Sequence, residues 1–157
     1  MNIFILDTDI KKCAEYHNDK HVVKMILESA QILSTVCRQN GINEGYKITH
    51  KNHPCTKWAG QSLSNWRWLK QLALELNEEF KYRFNHSEDH KSSKVICSLP
   101  EPKIPDRGLT NFVQAMPDDC KMKNPVKAYR RYYKNYKQHL ASWKNRRKPK
   151  WYRGCLI

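Results

Sequence analysis

The feature that most restricts the fold lies between Asp19 and Arg38, where the apolar residues Val23, Ile26, Leu27, Ala30, Leu33 and Cys37 recur at intervals of three and four. That interval matches an amphipathic α-helix and not a strand, whose sides alternate every two residues. "QNGINEGYK", with Gly41 and Gly45, ends the helix. A second helix is predicted from His53-Pro54, where proline suits a first turn, to about Arg83, with Trp58, Trp66, Leu69, Ala73, Leu76 and Phe80 on its core face. A last helix from near Pro125 carries Val126, Tyr129, Tyr133, Tyr136, Leu140 and Trp143 at three-and-four spacing. "MNIFIL" is a short strand or an N-terminal segment packed into the core. The polar stretch 85–94 and the proline-rich "SLPEPKIPDRG" predict a long ordered loop or lid, and "LTNFVQAMP" a helical turn or two. The chain is therefore expected to be all-α, a compact single domain over 1–157 with three main helices.

Charge is unevenly placed. The formal net charge is +14, yet residues 1–120 hold 16 Lys/Arg against 15 Asp/Glu, whereas 121–157 hold 13 Lys/Arg and no acid. A basic C-terminal segment of this kind points to phosphate-rich partners, nucleic acid or phosphorylated nucleotides. Trp151 and Tyr152 can anchor it to the body. Cys13, Cys37, Cys55, Cys97, Cys120 and Cys155 form no C-x-x-C pair, which argues against a zinc ribbon or disulfide scaffold and for reduced thiols. No signal peptide and no run of 18 apolar residues is present, so a cytoplasmic protein is expected, in the host cell if phage-encoded, with no membrane partner. No cofactor is expected, and oligomeric state is not legible.

Candidate site residues fall into clusters. On the first helix His17, His21, Lys24, Glu28 and Gln31 follow at steps of four, three, four and three, one continuous polar stripe. It is a solvated face or one wall of a site. His17 and His21 have metal-binding spacing, but "HNDKH" lacks the glutamate of H-E-x-x-H, so no metal is expected. His50, Lys51 and His53 precede the second helix, whose free N–H groups and positive dipole end favour an anion. Arg83, Lys91 and, on the last helix, Arg130 and Arg131 add cations for phosphates. Trp58, Trp66 and Tyr82 offer aromatic faces for bases. No Gly-rich phosphate loop and no G-x-S-x-G is present.

The order of these features resembles the pyrimidine-dimer DNA glycosylase family of the phage endonuclease V type. The resemblance rests on "AEY" before the first long helix, a "KI…HP" turn, "MPDD…NP" before the last helix and the closing "KPKWYRG". "DKHVVKMILESAQ" and "HKNHPC" also look like related small phage proteins. The resemblance implies an all-α protein that binds duplex DNA, displaces a base and cleaves the glycosidic bond. The attacking group would be the chain's own α-amine, exposed by methionine removal and assisted by a glutamate, through an imine that permits strand cleavage. Aligned on "AEY", that glutamate falls on Asn18, with Asp19 next to it, and the family's arginines fall on His17 and His21. Asn2 is bulky and normally leaves Met1 in place. The catalytic candidates are accordingly the amine of Met1, or that of Lys20 or Lys24, with Asp19 or Glu28.

Three functions follow. The first is a DNA glycosylase/AP lyase acting on damaged DNA. The second is a non-catalytic protein that sequesters a nucleotide, such as a cyclic-nucleotide immune signal of the host. The third is a basic, sequence-independent DNA-binding protein.

Overall fold

The computed structural model describes residues 1–153, and its regular structure is entirely helical. The helices are α1 (Ile10–Tyr16), α2 (Asp19–Gln39), α3 (Pro54–Gln61), α4 (Leu63–Phe84), α5 (Lys91–Ser98), α6 (Pro125–Tyr136) and α7 (Lys150–Arg153), with 3₁₀ turns at Asp118–Cys120 and Gln138–Leu140. The all-α expectation holds. The three expected helices become seven because the second is divided into α3 and α4 and three short helices, α1, α5 and α7, lie outside the expected spans.

The division falls at Ser62, which separates α3 from α4 in extended geometry without proline or glycine at the break. Asp106, from a distant loop, accepts from the backbone N–H of Ser64 at 3.3 Å and from the Ser64 and Ser62 hydroxyls at 2.6 and 3.2 Å. The first turn of α4 is thus capped by a residue 42 positions away, which periodicity cannot reveal. Part of the expected loop is also helical: α5 is capped by His90, whose ring nitrogen accepts from Ser92 N at 3.0 Å. Residues 109–117, expected to be helical, carry no helix, and α6 stops at Tyr136 instead of continuing to Trp143.

α2 is the central helix, packed by α3, α4 and α5. Its buried arc includes Val22, Met25, Ile26, Ala30, Leu33, Val36 and Cys37, whereas Val23 and Leu27 are exposed. The expected core face is therefore corrected by about one position. With neighbours on several sides, the solvent keeps only a narrow stripe around Lys20, Val23, Lys24 and Leu27. Gly45, at φ +79, lets the next loop lie against this helix; a Cβ there would collide with Ser34.

The segment 2–6 is neither strand nor helix but a buried irregular run through the core. Side chains satisfy its backbone: the Cys13 thiol donates to the Phe4 carbonyl at 3.2 Å and Arg130 Nε to the Leu6 carbonyl at 2.9 Å. The basic C-terminal segment folds back onto the body. Trp143 Nε1 donates to the Tyr16 carbonyl at 2.9 Å, Trp151 meets the rings of Tyr16 and Tyr133, and Tyr152 packs on Trp143. Cys13, Cys37, Cys55, Cys97 and Cys120 are free thiols, and Cys155 and Gly154 lie outside the described residues.

Arg83 joins these parts. It is fully buried and donates to Glu79 at 2.8 Å, to the carbonyls of His17 and Glu15 at 2.6 and 2.8 Å, and to Asp19 at 3.3 Å. Replacing it with methionine leaves Glu79 with Arg146 alone and the His17 and Glu15 carbonyls without their buried donor. A loss of about 3–5 kcal/mol in unfolding free energy is expected from urea titration; an unchanged midpoint would refute the joining role.

Candidate active site

The N-terminus is held by its second residue. Asn2 is buried; its amide Nδ2 donates to the Ala115 carbonyl at 2.8 Å, and its Oδ1 accepts from Ile3 N at 2.8 Å and from the Tyr129 hydroxyl at 2.9 Å. The Cys55 thiol also points at Oδ1, 3.7 Å away. With residue 2 so fixed, the α-amine of Met1 sits 3.2 Å from Glu28 Oε1, and the Asn2 N–H donates to the same oxygen at 3.2 Å. Lys24 Nζ is 3.9 Å from the other carboxylate oxygen. Glu28 is itself only 7% exposed, a buried carboxylate with a cationic partner, as burial demands.

These groups line a cavity of about 120 Å³ together with Phe4, His21, Tyr132 and Lys137. Phe4 stacks on His21 with centroids 4.3 Å apart, and Tyr132 lies near-parallel to Phe4 at 6.0 Å. Lys24 and Lys137 add two cations beside one carboxylate, which favours an anionic or electron-rich substrate at this point. α3 approaches as well. His53 caps it, accepting from Cys55 N at 3.0 Å, and lies within electrostatic range of the Met1 amine and Glu28; burial, then the Met1 amine and His50, shift its pKa downward against the opposing pull of Glu28.

Next to the cavity and sharing Lys24 with it, an apolar groove of about 500 Å³ runs between Val23 and Phe84, bordered by Lys20 and Asp19. Along α6 a basic groove of about 410 Å³ is lined by Lys127, Arg130, Arg131 and Lys134. Tyr132 and Lys137 connect that helix to the amine cavity.

The other expected site residues are placed as follows. Arg83 is corrected from a phosphate ligand to a buried structural cation, since its donors all meet protein acceptors. Trp58 and Trp66 are 2% and 0% exposed, so they are core and not stacking surfaces. Tyr82 is 52% exposed, with the Arg146 guanidinium 4.3 Å from its ring centroid. Asp19 is turned away from the amine: it accepts from the Ser142 hydroxyl at 2.6 Å and from Lys144 N at 2.9 Å. His17 is sealed in the core. Its Nδ1 donates to the Cys13 carbonyl at 2.7 Å and its Nε2 is buried without a partner among the described residues. Arg130 is committed to Leu6 and to Asp7 at 3.1 Å and packs on Tyr16 and Trp151, while Arg131 is exposed. His50 and Lys51 are exposed before α3, and Lys91 is exposed at the start of α5. Among the described residues no group of three or more His, Cys, Asp or Glu is placed to hold a metal, and no helix is long and apolar enough to cross a membrane.

A family model described as pyrimidine dimer DNA glycosylase matches residues 1–92. The chain belongs to the pyrimidine dimer DNA glycosylase family. The match covers more than half of the sequence, spans α1 to α4 and includes Met1, His21, Lys24, Glu28 and His53, and the all-α architecture is that of the family. Membership makes this a DNA glycosylase-like protein. No curated protein and no solved structure matches the chain. Within this family frame, the carboxylate beside the amine is Glu28. Asn18, where alignment on "AEY" points, is the N-cap of α2, accepting from His21 N at 2.9 Å. Glu28 lies roughly three turns further along the same helix. Asn2, Phe4, Tyr132 and Lys137 were not legible as site residues, because only the packing of α6 and the N-terminal segment brings them together.

Burial lowers the pKa of His17 from 6.5 to about 4 and that of His21 from 6.5 to about 3. The unfolded chain therefore takes up protons near pH 6.5 that the folded chain refuses. Stability is complete above pH 6.5 and falls as the pH is lowered toward 4, by on the order of 3 kcal/mol for His17 alone. Denaturant titrations at pH 7, 5.5 and 4 measure this; equal stabilities across the window would contradict it, and His17→Gln should flatten the slope.

Proposed function

We propose that this protein is a DNA glycosylase/AP lyase acting on damaged DNA, with the α-amine of Met1 as nucleophile and Glu28 as its acid–base partner. The observation that carries this reading is the 3.2 Å contact between that amine and a buried carboxylate, in a cavity walled in part by Tyr132 of α6, the helix that also lines a basic groove. Attack requires the neutral amine, and Glu28 is positioned to take its proton. The amine bonds to C1′ of the deoxyribose as the bond from C1′ to the base nitrogen breaks and the base leaves with that electron pair. The nitrogen gives up a proton to the departing base, its lone pair forms the protonated imine as the C1′–O4′ bond breaks, and O4′ takes the proton that Glu28 had accepted, which returns Glu28 to a carboxylate. Removal of a C2′ proton, with Glu28 again the nearest carboxylate, then expels the 3′ phosphate.

The rest of the surface suits a duplex substrate. Lys127, Arg131 and Lys134 face phosphates along α6, and the ten residues from Lys127 to Tyr136 span about 15 Å of helix, or four to five nucleotide steps at about 3.4 Å each. The apolar groove between Val23 and Phe84, rimmed by Lys20 and Lys24, suits a base displaced from the stack. Capture of a whole nucleotide, such as a cyclic immune signal, has less support. A cavity of about 120 Å³ lies below the roughly 300–1,000 Å³ of small-molecule sites, and Trp58 and Trp66 cannot stack a base.

Residue 2 gives the site tolerance to processing. If methionine is removed, the nitrogen of Asn2 becomes the α-amine at the same Glu28 oxygen. Intact mass identifies which amine is present. Borohydride is expected to trap a covalent adduct on abasic or dimer-containing duplex, mapped to the N-terminal peptide, and Glu28→Gln should reduce trapping at least 100-fold while leaving DNA affinity within about threefold. No adduct with either substrate would overturn the proposal. Lys127→Ala, Arg131→Ala and Lys134→Ala should each weaken binding for all sequences alike and reduce the salt slope by about 1; an unchanged slope would remove α6 from the interface.

A further inference from the structure

We infer that His21 is a catalytic hydrogen-bond donor, a neutral imidazole whose tautomer is set by Tyr133 so that Nε2–H is offered to an oxygen of the sugar that the amine attacks. This rests on the amine reading above and assigns a role that reading does not need.

The tautomer follows from the donors around the ring. The Tyr133 hydroxyl lies 2.6 Å from His21 Nδ1. That same hydroxyl accepts from the backbone N–H of Asn18 at 3.3 Å, so its own proton is directed to Nδ1. The Asn18 amide agrees: its Oδ1 accepts from His21 N at 2.9 Å, which leaves Nδ2 facing Nδ1 at 3.5 Å. With two donors on Nδ1, the ring proton resides on Nε2. Tyr133 is fully buried and its pKa is pushed far up by burial, so it stays a donor.

The ring cannot answer by taking a second proton. Burial, and then the electrostatic influence of His17, Lys137, Lys24 and His139, hold its pKa near 3. Stacking on Phe4 fixes the ring plane, and Nε2 has no hydrogen-bond partner among the described residues although His21 lines the amine cavity. A fixed, uncharged donor beside the reacting carbon stabilises charge that appears on the ring oxygen as the sugar opens, and the imidazole keeps its proton throughout.

The test has a structural and a kinetic arm. Long-range ¹H–¹⁵N spectra of the full chain at pH 7 should show His21 with a protonated Nε2 and an unprotonated Nδ1, and Tyr133→Phe should mix the tautomers. A protonated Nδ1 in the unmodified protein would overturn the inference. Kinetically, His21→Phe, which keeps the stack on Phe4, should slow borohydride trapping on abasic duplex by about 10- to 100-fold with DNA affinity unchanged. His21→Gln, which keeps a donor near the Nε2 position, should recover most of the rate. Equal trapping by His21→Phe and the unmodified protein sinks the role of His21 while leaving the amine reading intact. Loss of affinity with unchanged trapping marks a phosphate contact instead and also overturns it. Absence of any adduct in the unmodified protein overturns both.

Discussion

The buried guanidinium of Arg83 is the constraint on which the arrangement depends. It sits on α4 and reaches the carbonyls that end α1, the carboxylate that begins α2 and Glu79 on its own helix. Glu79 in turn binds Arg146, and Asp19 binds Ser142 and Lys144, so the basic C-terminal segment is tied to the same centre. A buried cation demands that every partner stay in place, since each broken contact leaves charge uncompensated in a medium that solvates it poorly. The corner between α1 and α2 is thereby held, and with it the side of α2 that carries His21 and Glu28.

A second constraint acts from the opposite end of the chain. The N-terminal run is buried without strand partners among the described residues, and its polar groups are met by Cys13, Arg130, Tyr129 and the amide of Asn2 itself. An α-amine is ordinarily a mobile, hydrated group. Here the fixing of residue 2 delivers it to a carboxylate, which is what amine chemistry needs: a base within reach and little freedom to lose on binding. Residues 1–92 supply the amine and Glu28, while Tyr132 and Lys137, which close the cavity, come from outside the family-matching stretch.

Parts of this were legible from residues alone. The three-and-four periodicity identified helices and excluded strands because it is a local property of the backbone. The polar stripe on the first long helix included Glu28, His21 and Lys24, which the fold brings together beside Met1. The same stripe misled at His17, which faces the core, and the apolar assignment misled at Val23 and Leu27. Both errors have one source: α2 is surrounded on several sides, and a pattern of polar and apolar residues cannot say how many neighbours a helix will have. Arg83, Trp58 and Trp66 were read by residue type as ligands for phosphate and base, but their burial is decided by packing.

The sequence by itself determined the helical class, the concentration of cations after residue 120 and the presence of a carboxylate and an amine within the family's N-terminal region, since each of these depends on composition or short-range spacing. Only the tertiary structure decided that Glu28, and not Asn18 or Asp19, meets the amine, that Asp106 divides the second helix, and that the Tyr133 hydroxyl meets Nδ1 of His21. Those are contacts between residues tens to more than a hundred positions apart, and long-range pairing of that kind follows from how buried charges and hydrogen bonds are satisfied in three dimensions.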